Sequence, residues 1–111
     1  MNDKEFLKIV DNQIEQCKST LKLKGDIYSD QTIEDSDRLV QFKQIAILKG
    51  TGVVDALSGC MAKHTTLLYD LMGNWADVSL EQWEETIGDH INYLFLLKAV
   101  IKEKMKNEPL G

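Results

Sequence analysis

Three polar residues near the C-terminal end of the chain recur at the spacing of one helical turn. Glu85, Asp89 and Asn92, in the stretch ETIGDHINYLFLL, are four and three residues apart, so a helix places them on one stripe. Oxygen atoms at this spacing are ligands for a hard cation such as Mg²⁺ and acceptors for hydroxyl and amino groups of a small molecule. The residues that follow are apolar almost all round, so the polar stripe leads into a covered segment.

The spacing leaves three interpretations of this stripe open. Glu84, Glu85 and Asp89 could face water and favour the N-terminal half of the helix through the helix dipole. Glu85 and Asp89 could instead hold Mg²⁺ and, through it, a phosphate. The carboxylates could also form buried ion pairs, for which the candidate cations are Arg38, Lys43 and Lys63.

The charge of the chain restricts its partners. A formal net charge of −5 argues against binding nucleic acid, which requires a strongly basic face. A small anionic ligand can still be held by a few cations. Arg38 is the only arginine, so it is the only side chain that could form a bidentate pair of hydrogen bonds with a phosphate. We expect Arg38, Lys43 and Lys63 to face the acidic stripe or a ligand phosphate.

The periodicity of the apolar residues predicts an all-α fold, a bundle of four main helices in one domain spanning residues 1–111. The predicted helices run from about Asp3 to Lys24, over DRLVQFKQIAILK, from after Thr51 to Gly73, and from Ser79 to about Lys106. The residues from Gly25 onward, GDIYSDQTIEDSD, lack periodicity and predict a long loop after the first helix.

Capping residues support these boundaries. Ser36 or Asp37 is suited to cap the second helix, and Gly50 suits its C′ position. Thr51 is suited to cap the third helix. The fourth helix begins with a capping box, in which Ser79 precedes Gln82 by three residues.

The fourth helix has a second apolar face besides the segment below its polar stripe. This face carries Trp83, Ile87, Leu94 and Ile101, roughly opposite the polar stripe. A helix covered on two sides lies either at the centre of a bundle or at a subunit interface, and we expect four short helices to be too few to cover both sides. We therefore expect a homo-oligomer.

The remaining features favour a protein of the cytoplasm. The start of the chain lacks the apolar core of a signal peptide, and no segment approaches the roughly 20 apolar residues of a membrane span. Cys17 and Cys60 are predicted to be reduced thiols on apolar helical faces, so no zinc site is expected. Tyr28 and Tyr93 are candidates for contact with a base or ribose.

The stretch EETIGDHINYLFLLKAVI resembles the C-terminal signature of the phage-enriched nucleotide modification associated domain of the first type. Glu84 or Glu85, Thr86, Ile87, Asp89, Asn92 and Tyr93 occupy its positions. The segment FKQIAILKGTGVVDALSGCMAKHTTLL is similar to an upstream segment of the same family, with matches at Phe42, Lys43, Ala46, Gly50 and Lys63. Together these segments cover about two thirds of the chain. The resemblance implies a phage or prophage protein that acts in the host cytoplasm.

More distantly, the last helix is similar to the all-α nucleoside triphosphate pyrophosphatases. That resemblance implies a helical bundle, Mg²⁺ held by acidic residues of two helices, and dimers or tetramers. The chain departs from both families. Its third helix offers only Asp55 and Asp70 where the pyrophosphatases carry a second E-x-x-E pair, and KGDIYSD places Ile27 where the phage family carries an acid.

These departures shift the prediction from hydrolysis to binding, since recognition needs only complementary groups and a cleft. We expect binding of a nucleotide or nucleotide-derived small molecule, with sequestration of a host defence signal as one role. The alternatives are a Mg²⁺-dependent nucleotide pyrophosphatase and a structural or protein-interaction module. The predicted ligand-binding residues are Arg38, Lys43, Lys63, Glu85, Asp89, Asn92, Tyr93 and Tyr28, and Glu85 and Asp89 are the candidate ligands of Mg²⁺.

Overall fold

The computed structural model describes residues 1–28 and 37–107, with the backbone alone for residues 24–28. This part of the chain forms four α-helices: α1 (Asp3–Tyr28), α2 (Val40–Lys49), α3 (Val53–Gly73) and α4 (Leu80–Asn107). A single 3-10 turn, Trp75–Asp77, lies between α3 and α4. The predicted all-α bundle is confirmed. The predicted long loop after the first helix falls largely on residues outside the described ranges.

The first helix begins with a reciprocal cap that was not predicted. The side-chain Oδ1 of Asn2 accepts from the Glu5 backbone N–H at 2.8 Å, and the Glu5 carboxylate accepts from the Asn2 N–H at 3.0 Å. The helix runs to Tyr28, four residues beyond the predicted end at about Lys24, next to Gly25. Glycine inside a helix costs only about 1 kcal/mol, so it does not end a helix by itself.

The second helix begins later than predicted and ends as predicted. Asp37 Oδ1 accepts from the Leu39 N–H at 3.0 Å, which forms a turn ahead of the helix, and Leu39 occupies the N-cap position. Neither Ser36 nor Asp37 is therefore the N-cap. Gly50 adopts φ 67°, and the Gly50 and Thr51 N–H groups bond to the Ile47 and Ala46 carbonyls. This is a Schellman ending, which needs the left-handed conformation that glycine adopts without strain.

Of the N-terminal caps predicted for α3 and α4, one is wrong and one is confirmed. Gly52 is the N-cap of α3, and the Thr51 hydroxyl donates to the Gly52 carbonyl, so the predicted cap by Thr51 is wrong. The Ser79 hydroxyl accepts from the Gln82 N–H at 3.1 Å, which confirms the predicted cap of α4.

The hydrophobic core lies among α2, α3 and α4. Its buried members are Leu39, Phe42, Leu57 and Val100, and Tyr93 and Leu97 of α4 pack against them. By contrast, α1 lies against α4 with little apolar burial. The apolar residues that recur at helical spacing along α1 are Phe6, Val10, Ile14, Cys17 and Leu21. Of these, Cys17 alone is buried, and Phe6 is 55% exposed.

The predicted second apolar face of α4 is only partly covered by the other described residues. Ile87, Leu94 and Ile101 are 38 to 47% exposed, and Trp83 is half-buried. The core uses the neighbouring face, which carries Thr86, Tyr93, Leu97 and Val100. Of the two alternatives for a helix with two apolar sides, the subunit interface therefore remains as a prediction.

None of the four helices is by itself long and apolar enough to cross a membrane. The pair α2 and α3 meets the length and hydropathy criteria when joined, but the two helices are bent by 102° at their junction.

Candidate functional site

The candidate site follows from the way in which α1 crosses α4. Cys17 of α1 is 1% exposed and sits against Gly88, with its Sγ 3.9 Å from the Gly88 carbonyl oxygen. Gln13 Nε2 lies 3.6 Å from the same sulfur, and a Cβ at position 88 would come within 3.1 Å of that Nε2. Small residues at the contact let the backbones approach closely there. Longer polar side chains on either side keep the helices apart and leave a cleft.

The cleft has a volume of about 700 Å³. Its floor is made by the buried residues Cys17, Gly88 and Asn92. The other lining residues are polar or acidic: Gln13, Glu15, Gln16, Ser19 and Thr20 from α1, and Glu81, Glu84, Glu85 and Asp89 from α4. The structure thus brings together Glu85, Asp89 and Asn92, the three residues of the predicted stripe, in one open cavity.

Asn92 is the most informative residue of the cleft. Its side chain is 6% exposed, and its Oδ1 has no hydrogen-bond partner within residues 1–28 and 37–107. Nδ1 of His90 is likewise buried without a partner in that part of the chain, but His90 does not line the cleft. A buried acceptor without a donor costs about 1–3 kcal/mol of stability. A ligand that donates a hydrogen bond to Asn92 would recover that energy.

The electrostatic character of the cleft is strongly acidic. Five carboxylates line it, those of Glu15, Glu81, Glu84, Glu85 and Asp89, and no Lys, Arg or His is among the described lining residues. Mutual repulsion of these carboxylates favours a ligand that brings positive charge or hydrogen-bond donors. Within the described ranges, no three His, Cys, Asp or Glu side chains are close enough to share a metal ion. The described carboxylates therefore do not by themselves form a closed Mg²⁺ cage.

The predicted cations are not at the cleft. Arg38 Nη2 donates to the Leu21 carbonyl at 3.1 Å and so ties the start of α2 to α1. Lys43 Nζ forms ion pairs with Asp37 at 2.7 Å and Glu103 at 2.6 Å. Both side chains join helices within the chain, which is a structural role.

The ion pairs of Lys43 shift the pKa values of their members. The hydrogen bond from Lys43 lowers the pKa of Asp37, and partial burial opposes this effect. The hydrogen bonds to Asp37 and Glu103 raise the pKa of Lys43. Both residues are more than a third exposed, so water screens these interactions.

The other predicted site residues lie elsewhere. Lys63 is exposed on α3 in a shallow depression that it shares with Thr66 and Asp70. Tyr93 is on the core face of α4, where its ring packs on His64 with the centroids 4.7 Å apart. Tyr28 ends α1, and its side chain lies outside the described residues. The structure does not bring Lys63 or Tyr93 to the cleft.

The side of the cleft that α1 contributes was not predicted. Gln13, Gln16 and Thr20 follow one another at helical spacing beside Cys17, and together they line one side of the cleft. A row of uncharged polar residues next to an apolar stripe is the signal in the sequence that points to them.

No protein-family model matches the chain, and neither curated proteins nor solved structures provided a match. The resemblances described from the sequence motifs therefore stay predictions.

Proposed function

We propose that the protein binds a nucleotide or nucleotide-derived small molecule in the cleft between α1 and α4. The observation that carries this proposal is the buried Oδ1 of Asn92, which lacks a partner among the described residues and belongs to a residue that lines a cavity rich in carboxylates. Asp89 and Glu85 stand beside it on the same helical stripe. These oxygens suit the amino groups of a base and the hydroxyl groups of a ribose, all of which donate hydrogen bonds.

The phosphates of such a ligand need a different environment from its base and ribose. Five carboxylates around the cleft repel a phosphate. Of these, Glu15 forms an ion pair with Lys18 at 3.5 Å, but the pair is exposed and offsets little of the repulsion. The phosphates must therefore point away from the carboxylates or enter already neutralised by cations. This requirement favours recognition of the nucleoside part, and it is compatible with the sequestration of a host defence signal by a phage protein.

The binding proposal is tested with a panel of nucleoside mono-, di- and triphosphates and cyclic dinucleotides, titrated calorimetrically with and without Mg²⁺. At least one member should bind, and heating the complex should release it intact. Asp89→Asn should weaken binding by about 1–3 kcal/mol whether or not Mg²⁺ is present. Asp70→Asn, on α3 outside the cleft, is the matched control and should bind normally. Equal binding by both variants would contradict the proposal.

Hydrolysis is the second candidate, and one observation favours it. Glu15 of α1 lies across the cleft from Glu85 and Asp89, so carboxylates of two helices do share one cavity. These acids come from α1 and α4, whereas the resemblance to the pyrophosphatases implied a second acidic pair on the third helix. Mg²⁺-dependent release of pyrophosphate that disappears in Asp89→Asn would establish the enzyme and displace the binding protein as the first hypothesis.

A further inference from the structure

Large apolar side chains stay exposed on α4 in the described part of the chain. Leu80, Leu94 and Met105 are 73%, 47% and 57% exposed. A helix face of this kind is typical of an interface with another protein surface.

Exposed and half-buried apolar side chains form one stripe along α4. Leu80, Ile87, Leu94 and Ile101 repeat every seven residues and are 38 to 73% exposed. Ile91 and Met105 fall on the same stripe, at the positions where a coiled coil carries its second apolar residue of each heptad. We call this set the α4 stripe: Leu80, Ile87, Ile91, Leu94, Ile101 and Met105.

The α4 stripe continues onto α1 through an apolar groove of about 570 Å³. Ile9, Val10 and Ile14 of α1 face Trp83, Ile87 and Ile91 across this groove. The apolar groove and the acidic cleft lie on opposite sides of the contact between α1 and α4. Glu84 lines both cavities. A partner seated on the α4 stripe would therefore also reach the edge of the cleft.

The charges of α4 indicate which partner fits. Its first half carries Glu81, Glu84, Glu85 and Asp89 without a Lys or Arg, and its last third carries Lys98, Lys102, Lys104 and Lys106 with Glu103. Two such helices attract each other when they run antiparallel and repel when they run parallel. Glu84 and Lys98 occupy heptad positions of the α4 stripe at which a coiled coil carries an apolar residue. In the sequence they are equally distant from Ile91.

We propose that the α4 stripe is the interface of a two-fold symmetric homodimer, in which α4 pairs antiparallel with α4 of a second copy around residues 91–94. In this register Glu84 lies between Lys98 and Lys102 of the second copy. The lysines of one chain then border the acidic cleft of the other. If the proposed function is correct, they supply the positive charge for a phosphate that a single chain lacks at this site.

The dimer is tested by sedimentation equilibrium on the protein without any ligand, so the result does not depend on the proposed function. We expect a dimer at micromolar concentration. Leu94→Glu should raise the dissociation constant at least about 30-fold, because it places a charge in the centre of the stripe. Leu48→Glu, at an 85% exposed position of α2, is the matched control and should leave it unchanged. Circular dichroism should show both variants folded.

The register is tested by charge reversal. Glu84→Lys and Lys98→Glu should each weaken the dimer, and the chain that carries both substitutions should regain the dissociation constant of the parent. A dimer restored by the double reversal in a protein that binds no nucleotide would support the interface and contradict the function alone. A monomer at about 100 µM, or a dimer broken by Leu48→Glu rather than Leu94→Glu, would overturn the proposal.

Discussion

The two sides of α4 show how differently one helix can be used. Its core face contributes Tyr93, Leu97 and Val100 to a packed cluster with α2 and α3. Its side toward α1 meets that helix at Gly88, with the polar cleft next to one part of the contact and a partly exposed apolar groove next to another. Apolar burial stabilises the contact of α4 with α2 and α3. By contrast, α1 is held by a few close contacts, such as that of Cys17 with Gly88 of α4 and that of the Leu21 carbonyl with Arg38 at the start of α2.

This difference indicates which part of the molecule supplies stability and which part is available for binding. A cleft with buried polar groups costs stability, so it can persist only beside a core that supplies the surplus. In this chain α2, α3 and α4 provide that core. We expect α1 to open with a lower free energy than the rest of the described structure.

The largest effect should come from the core. Leu57 is 1% exposed, and Leu57→Ala should lower the free energy of unfolding by about 3 kcal/mol, since it removes apolar contacts and leaves a cavity. Leu48→Ala, on an exposed position of α2, should change it by less than about 0.5 kcal/mol. Chemical denaturation measures both. Similar losses in the two variants would show that the core is not where the stability lies.

A bulky side chain at the helix crossing should separate α1 from the core. Gly88→Leu would collide with Gln13 and Cys17, and we expect a loss of about 1–3 kcal/mol with faster hydrogen exchange confined to α1. Gly59→Leu is the matched control, because a Cβ at Gly59 meets nothing within 4 Å. If Gly88→Leu accelerated exchange in α2 and α3 equally, the two sides of α4 would form one cooperative unit.

Asn92 should show a conflict between stability and binding. Asn92→Leu removes an unpaired buried acceptor without a large change in volume, so we expect the free energy of unfolding to rise by about 1 kcal/mol while nucleotide binding is lost. Thermal unfolding and calorimetry report the two quantities. Gln41→Leu, at an exposed position of α2, controls for the general effect of an added leucine. A destabilised Asn92→Leu would indicate that the Asn92 side chain is structural.

The smallest effect should come from the exposed ion pairs of Lys43. The lowered pKa of Asp37 contributes stability above its ordinary value of 3.8, and this contribution is lost as the pH falls through the folded pKa. The raised pKa of Lys43 contributes stability below its ordinary value of 10.5, and this contribution is lost as the pH rises through the folded pKa.

Lys43→Met should therefore lower stability at neutral pH by less than about 1 kcal/mol and flatten its pH dependence at both extremes. Lys63→Met should leave that dependence unchanged. Unfolding midpoints measured across the pH range compare the two variants. A loss of several kcal/mol would mean that Lys43 anchors α2 to α4 far more strongly than an exposed pair allows.

The helix ends show how far local sequence could predict the fold. The cap at Ser79 and the Schellman ending at Gly50 were predicted because a residue and its neighbours within five positions contain the whole hydrogen-bond pattern. Gly25 and Thr51 were misinterpreted because each residue type is compatible with more than one local structure. Neighbouring turns decide between these structures, and a short motif does not include them.

The sequence by itself determined that the chain is all-α and that Glu85, Asp89 and Asn92 share a stripe, since both follow from a period of 3.6 residues. Only the tertiary structure decided which helix faces that stripe. It placed α1 opposite and Arg38, Lys43 and Lys63 elsewhere. The physical reason is that helical periodicity fixes directions around one axis, whereas the pairing of axes depends on close packing between residues far apart in the chain, such as Cys17 and Gly88.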